Sequence, residues 1–170
     1  QALCSVNGRT LIVAPTSVLY AWAAQIEEFR PGLSYNVYHG ATRSLEHKGD
    51  VVLTTYAILR LDQEKIMSQT WKTIILDEAQ TIKNPDSQVA KVAHTLRAEF
   101  RLALTGTPIE NRLEDLWSQF QFLNPGLLGS RAAFQDELVQ VPQLKQRLKP
   151  FILRRLKADV APDLPARTES

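Results

Sequence analysis

Two adjacent carboxylates, Asp77 and Glu78, follow the unbroken stretch Thr73-Ile74-Ile75-Leu76 and are followed in turn by Ala79 and Gln80. Paired acids at the end of a buried strand suit in-line phosphoryl transfer. One can hold Mg²⁺, usually through water, while its neighbour orients or deprotonates an attacking water. The plainer account is a polar loop leading into a helix. Thr105-Gly106-Thr107-Pro108 follows a second apolar run. Its hydroxyls and turn amides could sense a phosphate or the state of a neighbouring metal site, or could simply close a tight strand exit, with Asn111 capping the next helix. Pro15-Thr16-Ser17 and Thr54-Thr55-Tyr56 supply hydroxyls after two further runs. Pro15-Thr16-Ser17 would sit at a helix N-terminus, where unpaired N–H groups favour phosphate, although Ser and Thr cap helices everywhere.

These blocks act together only if one edge of the fold collects them. In an open parallel sheet the carboxyl ends of the strands form that edge. Strand-length apolar runs at 10–14, 35–38, 50–54, 71–76 and 100–104 alternate with stretches of helical period, which predicts an α/β fold with a parallel β-sheet flanked by helices. The first helix would bury Val18, Leu19, Trp22, Ile26 and Phe29, and another would cover 57–66. Asn84-Pro85 reads as an N-cap and first-turn proline for a helix burying Val89, Val92, Ala93 and Leu96. Asn111 and Glu114 resemble a capping box for a helix burying Leu113, Leu116, Trp117, Phe120 and Leu123. Beyond residue 125 the alternation lapses: 126–150 reads as a helical protrusion, with Pro150-Phe151-Ile152-Leu153 extended at the start of a linker over 151–170.

The 170 residues are 44% hydrophobic, enough for one domain with a core. No apolar stretch approaches the roughly 18 residues of a membrane span. The single cysteine, Cys4, excludes an internal disulfide, and no Cys/His cluster has zinc spacing, so an intracellular compartment is expected. The formal charge of +2 is uneven. Lys145, Arg147, Lys149, Arg154, Arg155 and Lys157 fall in an acid-free stretch over 138–158, leaving 14 basic against 18 acidic residues elsewhere. Such a strip attracts polyanions or is simply a solvated face.

In their order and spacing the four blocks resemble the Swi/Snf-type ATPases of helicase superfamily two. Leu11 to Trp22 is similar to that family's motif Ia, Val51 to Tyr56 to motif Ib, Asp77 to Gln80 to motif II, and Leu104 to Asn111 to motif III. Ile82-Lys83-Asn84, Phe151 to Lys157 and Leu164-Pro165 extend the likeness over nearly the whole chain. Gln80 stands where many members have His, a variant similar to that of some bacterial and eukaryotic members. The Leu-Thr-Gly-Thr-Pro form of motif III disfavours an RNA helicase. The resemblance implies a RecA-like (P-loop NTPase) first lobe, truncated at its N-terminus, since no Gly-Lys-Ser/Thr phosphate-binding loop occurs in the chain.

For the intact parent the resemblance implies a DNA-dependent ATPase that translocates along duplex DNA, using ATP and Mg²⁺. Asp77 would position the metal and Glu78 would activate water. Gln80 and the motif III residues Thr105, Gly106, Thr107 and Asn111 would couple the nucleotide and DNA sites. Pro15, Thr16, Ser17, Thr54 and Thr55 would contact sugar-phosphate without reading sequence, with Arg43 and Lys83 as further DNA contacts. Arg154 and Arg155 would brace a second RecA-like lobe. A non-catalytic nucleic-acid or protein-binding module that kept the RecA-like shell is the rival reading. The fragment alone is expected to be inactive, to bind DNA weakly and in a salt-sensitive way, and to self-associate through strand 100–104, whose neighbour would be the strand carrying the phosphate loop. A bacterial parent would work in the cytoplasm or nucleoid, a eukaryotic one in the nucleus.

Overall fold

The computed structural model describes residues 8–46, 49–106, 113–136 and 148–153. Five strands, β1 (Thr10–Ala14), β2 (Tyr35–Val37), β3 (Val51–Thr55), β4 (Trp71–Leu76) and β5 (Ala98–Ala103), form one sheet in the order β2-β3-β1-β4-β5. Every pairing is parallel, so all five carboxyl ends emerge at one edge. The helices are α1 (Thr16–Phe29), α2 (Tyr56–Leu61), α3 (Gln63–Met67), α4 (Gln88–Thr95), α5 (Leu113–Leu123) and α6 (Arg131–Asp136), with 3₁₀ turns at Ala79–Ile82 and Lys149–Phe151. The chain divides into two compact units, 1–134 and 135–170. Among the described residues no helix is long and apolar enough to cross a membrane.

Side-chain alternation along the strands builds a core on each face of the sheet. Leu11, Val13, Val52, Ile74 and Leu76 point to a cluster that also takes Leu59 of α2, Ile66 of α3, Ala93 of α4 and Phe122 of α5. Ile12, Val51, Leu53 and Ile75 point the other way, onto Leu19, Ala23 and Ile26 of α1. Burial of each such aliphatic side chain contributes about 1.5–3 kcal/mol, which is why strands covered on both faces read as continuous apolar runs.

The structure revises several local expectations. Phe29 of α1 is largely exposed, and Ala23 takes its place in the buried stripe. The stretch expected as one helix over 57–66 breaks at Asp62 into α2 and α3. Asn84 does not cap α4. Its Oδ1 accepts from the Asp86 amide in a tight turn, and the Ser87 hydroxyl caps α4 by accepting from the Ala90 amide. In α5, Phe122 is fully buried and was absent from the expected core face. Lys149–Phe151 forms a 3₁₀ turn with a proline in its first positions, where extended backbone was expected.

β5 is an edge strand, with β4 its one partner among the described residues. Phe100 on it is about half exposed. Arg101 ties β5 to the helices by donating to the carbonyls of Phe122 and Leu96, both at 3.0 Å.

The exit from β4 is the one strained point of the described backbone. Glu78 adopts φ 50°, ψ 53°, the left-handed region, and is the only non-glycine residue there among those described. A side chain in this conformation costs about 1–2 kcal/mol, a cost glycine does not carry. Glu78→Gly and Glu78→Ala both remove the carboxylate, but only glycine relaxes the backbone. The glycine variant is expected to be the more stable of the two by about 1 kcal/mol, or about 2–4 °C in thermal unfolding of otherwise identical chains. Equal melting temperatures would show that no strain resides at this turn.

Candidate nucleotide and nucleic-acid site

Asp77 is clamped where β4 leaves the sheet. Its amide donates to the Val13 carbonyl at 2.8 Å, extending the β4–β1 ladder by one residue. Its own carbonyl accepts from the Tyr56 hydroxyl at 2.7 Å. Its carboxylate accepts from the Glu78 amide at Oδ1, 2.9 Å, and from the Trp22 indole N–H at Oδ2, 2.7 Å. Hydrogen bonds to an ionised acceptor contribute about 1.5–3 kcal/mol each, so the carboxylate plane is held from two sides. Burial, then the charges of Asp77 and Glu78, push the Tyr56 phenol up, keeping it a donor.

Glu78 is held by its neighbour Gln80. The Gln80 amide NH₂ donates to Glu78 Oε2 at 2.6 Å, while its carbonyl oxygen accepts from the Thr105 hydroxyl at 2.8 Å. A side-chain amide can donate and accept at once, which lets this one residue join the end of β4 to the end of β5. The backbone supports the same bridge: Leu104 donates to the Leu76 carbonyl and Ala79 donates to the Leu104 carbonyl, both at 2.8 Å. Asp77, Glu78, Gln80 and Thr105, brought together here, are residues the sequence singled out. Gly106 follows in an exposed bend, and Thr107 and Asn111 lie outside the described residues.

Among the DNA-facing candidates, Thr16 and Ser17 are exposed in the first turn of α1. Pro15 occupies the N-cap position, no side chain caps the helix, and no acidic residue sits in its first turn. Lys83 is exposed just beyond the 3₁₀ turn. Thr54 and Thr55 are different, being almost fully buried. The Thr54 hydroxyl donates to the Tyr38 carbonyl at 2.9 Å, and the Thr55 hydroxyl caps α2 by accepting from the Ile58 amide. Their hydroxyls work inside the protein.

Arg43 also faces inward. Its guanidinium donates to both carboxylate oxygens of Asp62, at 2.5 and 3.1 Å, and to the Gly40 carbonyl at 2.6 Å. Tyr38 donates to the same carboxylate, and these two donors, Arg43 foremost, hold Asp62 down at about 2. Arg43 thus pins the loop after β2 to the α2–α3 junction. The brace residues Arg154 and Arg155, and the basic strip apart from Lys149, lie outside the described residues.

Sequence reasoning placed Trp22 on a core face and Tyr56 at a strand end without assigning either a partner. The available signal was chemical: a partly buried indole or phenol carries one polar atom that needs a hydrogen bond.

A family model described as the SNF2-related domain matches residues 4–170. The putative ATP-dependent helicase/translocase YwqA of Bacillus subtilis is 41% identical over 178 residues, covering 94% of this chain and 19% of that protein. The solved SWI2/SNF2 ATPase core of Sulfolobus solfataricus in complex with dsDNA superposes with TM-score 0.82 at 42% identity, over 90% of this chain and 35% of that one. A second solved structure, the Sulfolobus solfataricus SWI2/SNF2 ATPase core domain, gives TM-score 0.77 at 40% identity, over 92% of this chain and 35% of that one. The chain therefore spans about a fifth of the curated relative and a third of the solved cores. The match along residues 4–170 and the five-stranded parallel sheet with its Asp77–Gln80 corner make this chain a member of the SNF2-related family, built on a RecA-like lobe.

Proposed function

We propose that this chain is part of the motor of an ATP-dependent DNA translocase, coupling ATP hydrolysis to movement along duplex DNA. The observation that carries the reading is the relay Thr105–Gln80–Glu78, which joins the ends of β4 and β5 beside a clamped Asp77. Among the described residues no group of three or more His, Cys, Asp or Glu could cage a metal. The donor set fits Mg²⁺ held by one or two carboxylates, with water and phosphate oxygens completing its shell. Asp77 would hold it, since each of its two oxygens receives a single N–H and keeps acceptor capacity. Bound there, Mg²⁺ would neutralise developing phosphoryl charge. Glu78, oriented by Gln80, would take the proton of the attacking water. Thr16, Ser17 and Lys83, which are exposed, together with the half-buried Pro15, would meet the sugar-phosphate backbone with hydroxyls, helix N–H groups and one cation. The DNA bound by the Sulfolobus core supports duplex as the track.

Hydrolysis by the complete polypeptide is expected to rise with duplex DNA of any sequence and to fall at least about 100-fold in Glu78→Gln, whereas the 170-residue chain alone turns over no ATP, lacking a phosphate cradle. A complete polypeptide that binds DNA yet hydrolyses no ATP would instead favour the non-catalytic module. We propose further that the isolated chain self-associates through the β5 edge, or pairs it with another segment of its own, because among the described residues that strand is paired on one side alone, beside an exposed Phe100. Sedimentation should show dimers or larger species that disappear when the chain is extended upstream. Clean monomers of both, with the edge ordered and unpaired, would contradict it.

A further inference from the structure

Trp22 sits on α1 with its ring packed against the cluster formed by Ile12, Leu19 and Ile75. An apolar side chain would satisfy that packing. The indole adds one polar atom, and that atom reaches across to Asp77 Oδ2 at 2.7 Å from a residue 55 positions earlier in the chain. The other oxygen, Oδ1, accepts from the Glu78 amide, a donor in the strained turn itself. Trp22 is thus the side-chain donor to this carboxylate that comes from outside the turn, and it stands on a helix whose packed stripe fixes it to the sheet.

The chemistry of the donor suits a carboxylate that must also meet a cation. An indole N–H donates and never accepts, so it cannot ligate a metal in place of the carboxylate. It carries no charge, so it does not repel a cation as Lys or Arg would. It occupies one lone-pair direction of Oδ2 and leaves the rest of the carboxylate available. Partners of this kind fix the orientation of metal-binding carboxylates, and their loss typically costs about 10- to 100-fold in metal affinity or activity.

We propose that Trp22 is a positioning residue for Asp77, its indole N–H holding the carboxylate in the orientation that receives a divalent cation together with nucleotide. The inference rests on the nucleotide-hydrolysis reading above and adds to it a residue whose sequence position gives no hint of the role. One structural consequence is that α1 carries the exposed Thr16 and Ser17 at its start and a contact to Asp77 about one and a half turns later.

Two replacements in the complete polypeptide separate the N–H from the packing. Trp22→Phe keeps an aromatic ring without the donor. The benzothiophene analogue of tryptophan, with sulfur in place of the N–H, keeps the full bicyclic shape and decides the matter if the phenylalanine variant does not fold. Mn²⁺ serves as the probe, its free concentration followed by electron paramagnetic resonance in the presence of a non-hydrolysable ATP analogue. Both folded variants are expected to bind Mn²⁺ about tenfold more weakly, with affinity for the metal-free nucleotide unchanged and the Mg²⁺ midpoint of hydrolysis moved upward. Mn²⁺ affinity within twofold of the parent would overturn the proposal. So would equal losses of nucleotide binding with and without metal, the mark of simple packing. The two readings fail separately. A parent without DNA-stimulated hydrolysis whose Mn²⁺ affinity still depends on Trp22 sinks the motor reading alone, and an active parent whose Mn²⁺ affinity ignores Trp22 sinks this one alone.

Discussion

The hydrogen bond from the Asp77 amide to the Val13 carbonyl fixes where the buried sheet ends and polar chemistry begins. One residue earlier, Leu76 is fully buried in the core that also takes α2, α3 and α4; one residue later, the chain turns through the left-handed conformation of Glu78. A strand slipped by one residue would send its whole side-chain set to the wrong faces and would carry Asp77 into or away from the edge. The parallel register of β1 against β3 and β4, which sets Leu11, Ile12 and Val13 beside Ile74, Ile75 and Leu76, is therefore what places the carboxylates.

Around that corner the elements divide their labour. α1 and α2 reach Asp77 through Trp22 and Tyr56, and β5 reaches Glu78 through Thr105 and Gln80. The segments that follow β1, β3 and β5 thus each bring one polar side chain to the corner after β4: Trp22 and Tyr56 to Asp77, and Thr105, through Gln80, toward Glu78. Gln80 holds its place in this scheme with an amide, a group that does not titrate. The bridge between β4 and β5 is consequently insensitive to pH at the residue that makes it.

The fold was legible because parallel strands buried on both faces leave continuous apolar runs, and Asp77, Glu78, Gln80 and Thr105 drew attention because they come within a few residues of strand ends, which the structure brings together at one edge. Position alone could not tell an exposed hydroxyl from a buried one. Thr16 and Thr54 both read as strand-end hydroxyls, yet Thr16 opens a long helix at the surface while Thr54 lies inside β3 and bonds across to Tyr38. Arg43 read as a free cation because its partner, Asp62, lies 19 residues away at a break between two helices that looked like one. Asn84 looked like a cap because Asn-Pro is a common helix start; the competing turn to Asp86 moved the cap of α4 to Ser87. The first two differences come from tertiary contacts that local pattern does not encode, the third from two local turns competing for the same residues.

If Thr105, Gln80 and Glu78 act as one unit across the β4–β5 edge, substitutions at Thr105 and Gln80 are not independent. A double-mutant cycle in the complete polypeptide measures this directly, with Thr105→Val and Gln80→Leu removing the hydrogen-bonding groups while keeping size. The double variant is expected to hydrolyse ATP on duplex DNA about as fast as Gln80→Leu alone, a coupling of roughly 1 kcal/mol or more. Losses that multiply, each substitution reducing the rate independently of the other, would contradict it.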